Sequence, residues 1–78
     1  MKTVKILGSG CKRCLATAEM ARQEAARLGV PIALEKVTDM AEIASYGLAA
    51  TPGVVVDGKV VHAGGLTKPE EWAKWLAD

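Results

Sequence analysis

The chain has 78 residues, of which 50% are apolar and 24% are charged, and its formal net charge at pH 7 is +1. This composition predicts one small folded domain (residues 1–78), because disordered chains contain far fewer apolar residues. The nearly balanced charge argues against the basic surface that nucleic acid or an anionic membrane would require. We therefore expect neither as a partner.

No apolar run approaches the roughly 20 residues of a membrane span, and the first residues lack the apolar core of a signal peptide. We therefore expect a cytoplasmic protein, and we expect it to be a monomer. In a reducing compartment, the only two cysteines of the chain, Cys11 and Cys14, are expected to be catalytic or metal-binding rather than structural.

The first half of the chain predicts a strand, a long helix and a second strand. Residues 3–7 are rich in β-forming side chains and lead into a glycine-rich loop. The helix is predicted from Lys12 to Leu28, because apolar residues recur at helical spacing on one face: Cys14, Ala18, Ala21, Ala25 and Leu28. A glycine and a proline end this helix, and residues 31–37 form the next predicted strand. This succession predicts a right-handed parallel crossover.

The middle of the chain predicts a short helix followed by a hairpin. Asp39 and Glu42 have the spacing of a capping box for a helix over residues 40–46. Strands over residues 54–56 and 59–62 flank an Asp-Gly pair, which is the strongest short signal for a hairpin with a type I′ turn.

The chain ends in a predicted helix with Thr67 and Glu70 as its capping box. Trp72, Trp75 and Leu76 lie on one side of it and are expected to pack on the sheet. The complete order, β-α-β-α-β-β-α, predicts an α/β fold in which helices cover both faces of a four-stranded mixed sheet.

Two thiols at the transition from a strand to a helix can close a disulfide or bind a soft metal ion. Cys11 falls at the helix N-terminus, where unpaired backbone N–H groups and the helix dipole favour a thiolate. Lys12 and Arg13 add positive charge, so we expect the pKa of Cys11 to lie below that of an ordinary thiol. Cys14 lies on the apolar face and is expected to be buried and protonated. This asymmetry predicts thiol–disulfide exchange in which Cys11 attacks and Cys14 resolves the mixed disulfide.

Two further expectations concern the surroundings of this motif. Gly8 and Gly10 have no side chain, so they leave the approach to Cys11 open. Residues 1–10 contain no carboxylate that could take the proton of Cys14, so we expect either that water or the departing Cys11 thiolate accepts it or that the resolving step is slow.

Two other functions would use the same thiols. A carrier of Cu(I) is the first alternative, because two thiolates at this spacing suit that ion, although such domains usually end in a strand. A redox-sensing adaptor module, whose disulfide state controls partner binding, is the second. A structural zinc site would need four ligands, whereas the chain has two cysteines and one histidine, so no resident metal is expected.

Three features together resemble small thioredoxin-fold redox proteins of archaea and bacteria: the Gly-Cys-Lys-Arg-Cys motif of residues 10–14, Thr51-Pro52 before the third strand, and the strand-strand-helix ending. The resemblance covers nearly the whole chain. The chain is similar to glutaredoxins in lacking the extra N-terminal strand and helix of thioredoxin. The resemblance implies a minimal thioredoxin fold and a thiol–disulfide oxidoreductase with no cofactor beyond its own disulfide between Cys11 and Cys14.

The resemblance also implies roles for the proline loop and for partners. In that family the proline that matches Pro52 is cis and lies against the active-site disulfide, and the backbone of Thr51 would pair with an extended substrate beside Cys11. The implied partners are protein disulfides as substrates, and a reductase or small thiol as the source of electrons.

The chain departs from its relatives at two places. Lys12 and Arg13 stand where thioredoxin has Gly-Pro and glutaredoxin has Pro-Tyr, so the reduction potential cannot be transferred. Gly64 and Gly65 resemble the pair that holds glutathione in glutaredoxins, but the acidic residues that follow that pair are absent. His62, beside these glycines, is interpreted as a solvated residue of an outer strand.

Overall fold

The computed structural model describes residues 1–8, 12–47 and 50–77. Within these residues the chain forms, in order, β1 (Lys2–Leu7), α1 (Lys12–Leu28), β2 (Ile32–Val37), α2 (Met40–Ser45), β3 (Gly53–Val56), β4 (Lys59–Ala63) and α3 (Pro69–Ala77). Each predicted element is present, and its ends agree with the prediction to within about one residue, the usual uncertainty of helix and strand ends. None of the described helices is long and apolar enough to cross a membrane.

The four strands form one mixed sheet in the order β2-β1-β3-β4. β1 runs parallel to β2 and antiparallel to β3, while β4 completes the hairpin with β3. Leu7, the last residue of β1, pairs with Val37 at the end of β2 and with Gly53 at the start of β3. Gly8, directly after β1, and Pro52, directly before β3, therefore lie at the same end of the sheet.

Alternating side chains of the strands feed two cores, one on each face of the sheet. The larger core lies under α1 and α3 and contains Val4, Ile6, Ala18, Ala21, Ala25, Val54, Val56, Trp72 and Leu76. The smaller core lies under α2 and contains Leu7, Val37, Ile43 and Val55. The predicted α/β arrangement, with helices on both faces of a four-stranded mixed sheet, is therefore confirmed.

The predicted buried face of α1 is correct over most of its length. Cys14 and the three alanines of the stripe are buried, and small alanine side chains allow the helix to lie close to the sheet. The prediction that Leu28 belongs to the buried face is wrong, because Leu28 is the last residue of the helix and is 37% exposed. Glu24, which does not belong to the predicted apolar face, is buried, and its carboxylate accepts hydrogen bonds from Arg27 at 2.6 and 2.9 Å.

The β3–β4 turn joins the hairpin to β1. Asp57 and Gly58 both have positive φ, at 50° and 81°, which confirms the expected type I′ turn. The Asp57 carboxylate accepts a hydrogen bond from the backbone N–H of Thr3 at 2.9 Å and lies 3.5 Å from Lys2 Nζ. The Thr3 hydrogen bond and then the Lys2 charge hold the pKa of Asp57 below its ordinary value.

The predicted capping box of α3 is wrong by one residue. Glu71, not Glu70, accepts a hydrogen bond from the backbone N–H of Lys68, at 3.1 Å. Thr67 is buried, and its hydroxyl accepts a hydrogen bond from Trp72 Nε1 at 2.9 Å instead of capping the helix. The threonine is therefore part of the core, because the indole N–H needs a buried acceptor.

Replacing Thr67 by valine should lower the free energy of unfolding by about 1–3 kcal/mol, because the buried Trp72 N–H would lose its acceptor. Denaturant unfolding followed by tryptophan fluorescence measures this. Thr67→Ser keeps the hydroxyl and should cost less. Equal losses from the two variants would show that the hydrogen bond is not what stabilises this site.

Candidate active site

The candidate site lies at the end of β1 and the start of α1. Cys14 occupies the first turn of α1 on its buried face, and the residue is 5% exposed, as predicted. Gly10 and Cys11 lie outside the described residues, so their predicted roles stay predictions. The geometry of the site is therefore described from Cys14 outwards.

Gly8 is buried and leaves room for the sulfur of Cys14. A Cβ atom at Gly8 would overlap Cys14 Sγ and would lie 3.8 Å from the Cβ of Thr51. The sequence predicts a different role, an open approach to Cys11, because the pattern cannot show which side chain packs against the glycine. Its position directly after a buried strand is the signal that could have indicated a close contact.

The proline loop also lies close to Gly8, on the side where Gly8 lacks a Cβ atom. The Thr51-Pro52 peptide bond is cis, as the resemblance implies. Pro52 is fully buried, whereas Thr51 is exposed. Since the same glycine backbone contacts Cys14 and approaches Thr51, the structure brings three of the predicted site residues, Cys14, Thr51 and Pro52, to one end of the sheet.

The glycine pair after β4 packs against this loop. The N–H of Gly64 donates a hydrogen bond to the carbonyl of Pro52 at 2.8 Å. Gly64 and Gly65 have φ values of 79° and 73°, and a Cβ on Gly64 would come within 2.9 Å of Ala50 Cβ. Glycine is therefore required at residue 64 both by the backbone conformation and by the closeness of the proline loop.

His62 supports the glycine pair and is not the solvated side chain that the sequence suggests. Only 17% of its side chain is exposed, because α3 covers this face of the outer strand. Its Nε2 lies 3.3 Å from the carbonyl oxygen of Gly65, and its ring is 5.8 Å from that of Trp75. Glu71 Oε2 lies 4.0 Å from His62 Nδ1.

Lys12 and Arg13 form the start of α1, beside Cys14. Both side chains are exposed, and the first turn of the helix contains no acidic residue. Neither side chain has an ion-pair partner among the residues that the structure describes. Their charges are therefore not neutralised locally by an acidic neighbour.

A small pocket on the β2 side of Cys14 has an unexpected charged residue in its wall. The pocket is lined by Ile6, Gly8, Cys14, Leu15, Lys36 and Thr38. None of these described residues is a carboxylate, which agrees with the absence of an acid on the strand that enters the motif. Sequence reasoning missed Lys36, since its place beside Cys14 depends on the pairing of β2 with β1.

The other face of the sheet is closed near the site by α2. Asp39 caps this helix by accepting a hydrogen bond from the backbone N–H of Ala41 at 2.9 Å. Tyr46, which follows the helix, packs on the smaller core, and its hydroxyl accepts a hydrogen bond from Lys5 Nζ at 3.3 Å. That hydrogen bond raises the pKa of Lys5 above its ordinary value.

Replacing Gly8 by alanine should destabilise the protein by about 1–3 kcal/mol, because the added methyl group overpacks against the Cys14 sulfur. The free energy of unfolding should be measured for Gly8→Ala, Cys14→Ala and the double variant. Removing the sulfur should reduce the cost of Gly8→Ala. Strictly additive costs would contradict the contact between these two residues.

A family model described as a thioredoxin domain matches residues 2–77. The chain is 35% identical over 77 residues to a thioredoxin of Methanothermobacter thermautotrophicus, covering 99% of this chain and 100% of that protein. It is 37% identical over 71 residues to a thioredoxin of Methanocaldococcus jannaschii, covering 91% of this chain and 81% of that one. These matches and the α/β topology show that the chain belongs to the thioredoxin family, has the thioredoxin fold and is a thiol–disulfide oxidoreductase.

Proposed function

We propose that Cys11 and Cys14 form a reversible dithiol–disulfide couple through which the protein reduces or exchanges protein disulfides. The observation that carries the proposal is the placement of Cys14: a buried sulfur in the first turn of a helix, packed on Gly8 at the end of the sheet where the Thr51-Pro52 loop lies. Burial of this kind suits a resolving thiol, because the thiol should react with the neighbouring mixed disulfide and not with other disulfides or oxidants in solution.

The reaction runs in two exchange steps. The Cys11 thiolate attacks one sulfur of the target disulfide, the target S–S bond breaks, and the second target sulfur leaves as a thiolate. Cys14, after losing its proton, then attacks the Cys11 sulfur and releases the first target sulfur. Two electrons pass to the target, and the disulfide between Cys11 and Cys14 forms. A reductase protein or a small thiol returns the two electrons.

No carboxylate of the described pocket takes the proton of Cys14 in this scheme, since the pocket beside its sulfur offers Thr38 and Lys36 instead. Water or the departing target thiolate takes the proton, because the Cys11 sulfur stays in the new disulfide and does not leave. No organic cofactor is needed in this scheme. We propose a cytoplasmic location, because reactive thiols of this kind are typical of reducing compartments. We also propose that the protein is a monomer.

Thr51 and Pro52 form the substrate-binding loop in this proposal. Thr51 is exposed beside Gly8, and its backbone has no hydrogen-bond partner among the described residues, so it is open to an extended peptide. Pro52 has no N–H group and is buried, which leaves no stray donor next to the sulfurs. A target chain that pairs with Thr51 would hold its disulfide close to Cys11.

The equilibrium reduction potential of the cysteine pair tests the proposal. The protein is poised in thiol buffers of known ratio, trapped with an alkylating reagent and weighed by mass spectrometry. We expect a two-electron transition between about −300 and −180 mV, a window that includes the roughly −270 to −180 mV of thioredoxin-fold reductants and isomerases. The Cys14→Ala variant is the control and should show no intramolecular disulfide.

Absence of an intramolecular disulfide in the parent protein across this range would overturn the proposal, and Cu(I) binding would then be tested. A reversible couple without turnover in the presence of a reductase would instead favour a redox-sensing adaptor module.

Lys12 and Arg13, together with the backbone at Gly10, are proposed to tune the Cys11 thiol. In a Cys14→Ser background, replacing both charged residues by alanine should raise the pKa of Cys11, because two cations that stabilise its thiolate are removed. Ultraviolet absorbance of the thiolate during a pH titration measures the shift.

The matched control for this titration also removes two positive charges, through Lys59→Ala with Lys74→Ala, at exposed positions in β4 and α3. This control should leave the pKa of Cys11 unchanged. The same titration curve for both double variants would contradict a tuning role for Lys12 and Arg13.

A further inference from the structure

We infer that this protein prefers disulfide substrates with acidic residues next to the reacting cysteines, because Lys12, Arg13 and Lys36 form a basic rim around Cys14. The inference rests on the proposed function and adds to it the chemical class of the substrate.

The position of Lys36 follows from the pairing of the sheet. Lys36 lies opposite Ile6 in the parallel register of β1 and β2, so both side chains lie on the face covered by α1. It lines the same small pocket as Cys14 and Leu15, which belong to the first turns of α1. Lys36 is nevertheless exposed, because β2 is an outer strand. It therefore presents its charge to solvent beside the buried sulfur.

The basic rim is not neutralised by the protein itself. Three other cations form ion pairs with nearby carboxylates: Lys2 with Asp57 at 3.5 Å, Arg22 with Glu19 at 2.7 Å and Arg27 with Glu24 at 2.6 Å. None of the three residues of the rim has such a pair in the described part of the chain. The rim is therefore available to an anionic partner.

The acidic residues closest to Lys36 in the chain do not cancel its charge. Glu35 pairs with Lys5 in the register of β1 and β2, which places it on the opposite face of the sheet. Asp39 uses its carboxylate to cap α2. Since the whole chain has a formal net charge of only +1, three unpaired cations at one end are a local feature and not a general basicity.

An acidic substrate would gain in two ways from this rim. Positive potential around the site raises the rate at which an anionic peptide arrives in the productive orientation. Close pairing with an exposed lysine then contributes modestly, about two- to fivefold in rate per pair, since exposed ion pairs are weak. Both effects diminish as salt screens the charges.

The test compares three peptides with the same disulfide ring, flanked by glutamate, glutamine or lysine. The kcat/KM for reduction of each peptide is measured with the full-length protein and a small dithiol as the electron source. We expect kcat/KM to be highest for the glutamate peptide, lower for the glutamine peptide and lowest for the lysine peptide. We expect these differences in kcat/KM to become smaller at high salt. The ratio between peptides is the readout, because a change in cysteine reactivity affects all three equally.

Lys36→Gln should lower the ratio of kcat/KM for the glutamate peptide to kcat/KM for the lysine peptide by about two- to fivefold. Lys36→Arg keeps the positive charge and should keep the ratio of the parent protein. Lys59→Gln is the matched control. Lys59 is exposed and has no ion pair among the described residues. In the sheet it lies opposite Val56, at the far end of β3 and roughly 10 Å from Gly53. This control should keep the parent ratio.

The outcomes separate the two proposals. Equal kcat/KM for the three peptides would overturn the inference and leave the proposed oxidoreductase function intact, as would equal effects of Lys36→Gln and Lys59→Gln on the ratio. No reduction of any peptide would overturn the proposed function and this inference together.

Discussion

The contact between Gly8 and the sulfur of Cys14 is the constraint on which the site depends. The backbone at the end of β1 comes so close to the first turn of α1 that no side chain fits between them. Thr51 lies near the same point, because a Cβ atom on Gly8 would also be 3.8 Å from the Cβ of Thr51. One residue without a Cβ atom therefore sets the distance between the helix that carries the thiol and the loop that we propose binds the substrate.

The rest of the fold holds these two segments at that distance. β1 is a central strand, so its end is fixed by Val37 on one side and by Gly53 on the other. The core under α1 and α3 and the core under α2 then press on both faces of the sheet. Beyond β3, the hydrogen bond from Gly64 to Pro52 ties the proline loop to the outer strand.

Features that depend on local spacing could be predicted from the sequence. Helical periodicity placed Cys14 on the buried face of α1, and the Asp-Gly pair gave the correct hairpin turn. These signals are local, because the backbone conformation of a few successive residues decides them. The resemblance added the cis peptide before Pro52, which periodicity alone does not indicate. Cys11 lies outside the described residues, so its role remains a prediction.

Features that depend on contacts between distant residues could not be predicted. Thr67 has the spacing of a capping residue, but its hydroxyl accepts a hydrogen bond from the buried indole N–H of Trp72. The position of His62 on an outer strand suggests a solvated side chain, yet α3 covers it. Lys36 reaches the pocket of Cys14 only because β2 pairs in parallel with β1 in one register. In each case a tertiary neighbour decides the role of a side chain whose own sequence context suggests another.

The charges around Cys14 affect two different properties of the enzyme. A cation near the thiols favours every thiolate that forms there, whatever the substrate is, because the stabilised charge belongs to the protein. The same cation discriminates between substrates only through charges that the substrate brings. No carboxylate lines the described pocket beside Cys14, so the basic rim has no acidic counterpart there. Under the two proposals its charge therefore acts on both the thiols and the substrate, and one set of surface cations in a small fold both activates the chemistry and selects the partner on which that chemistry acts.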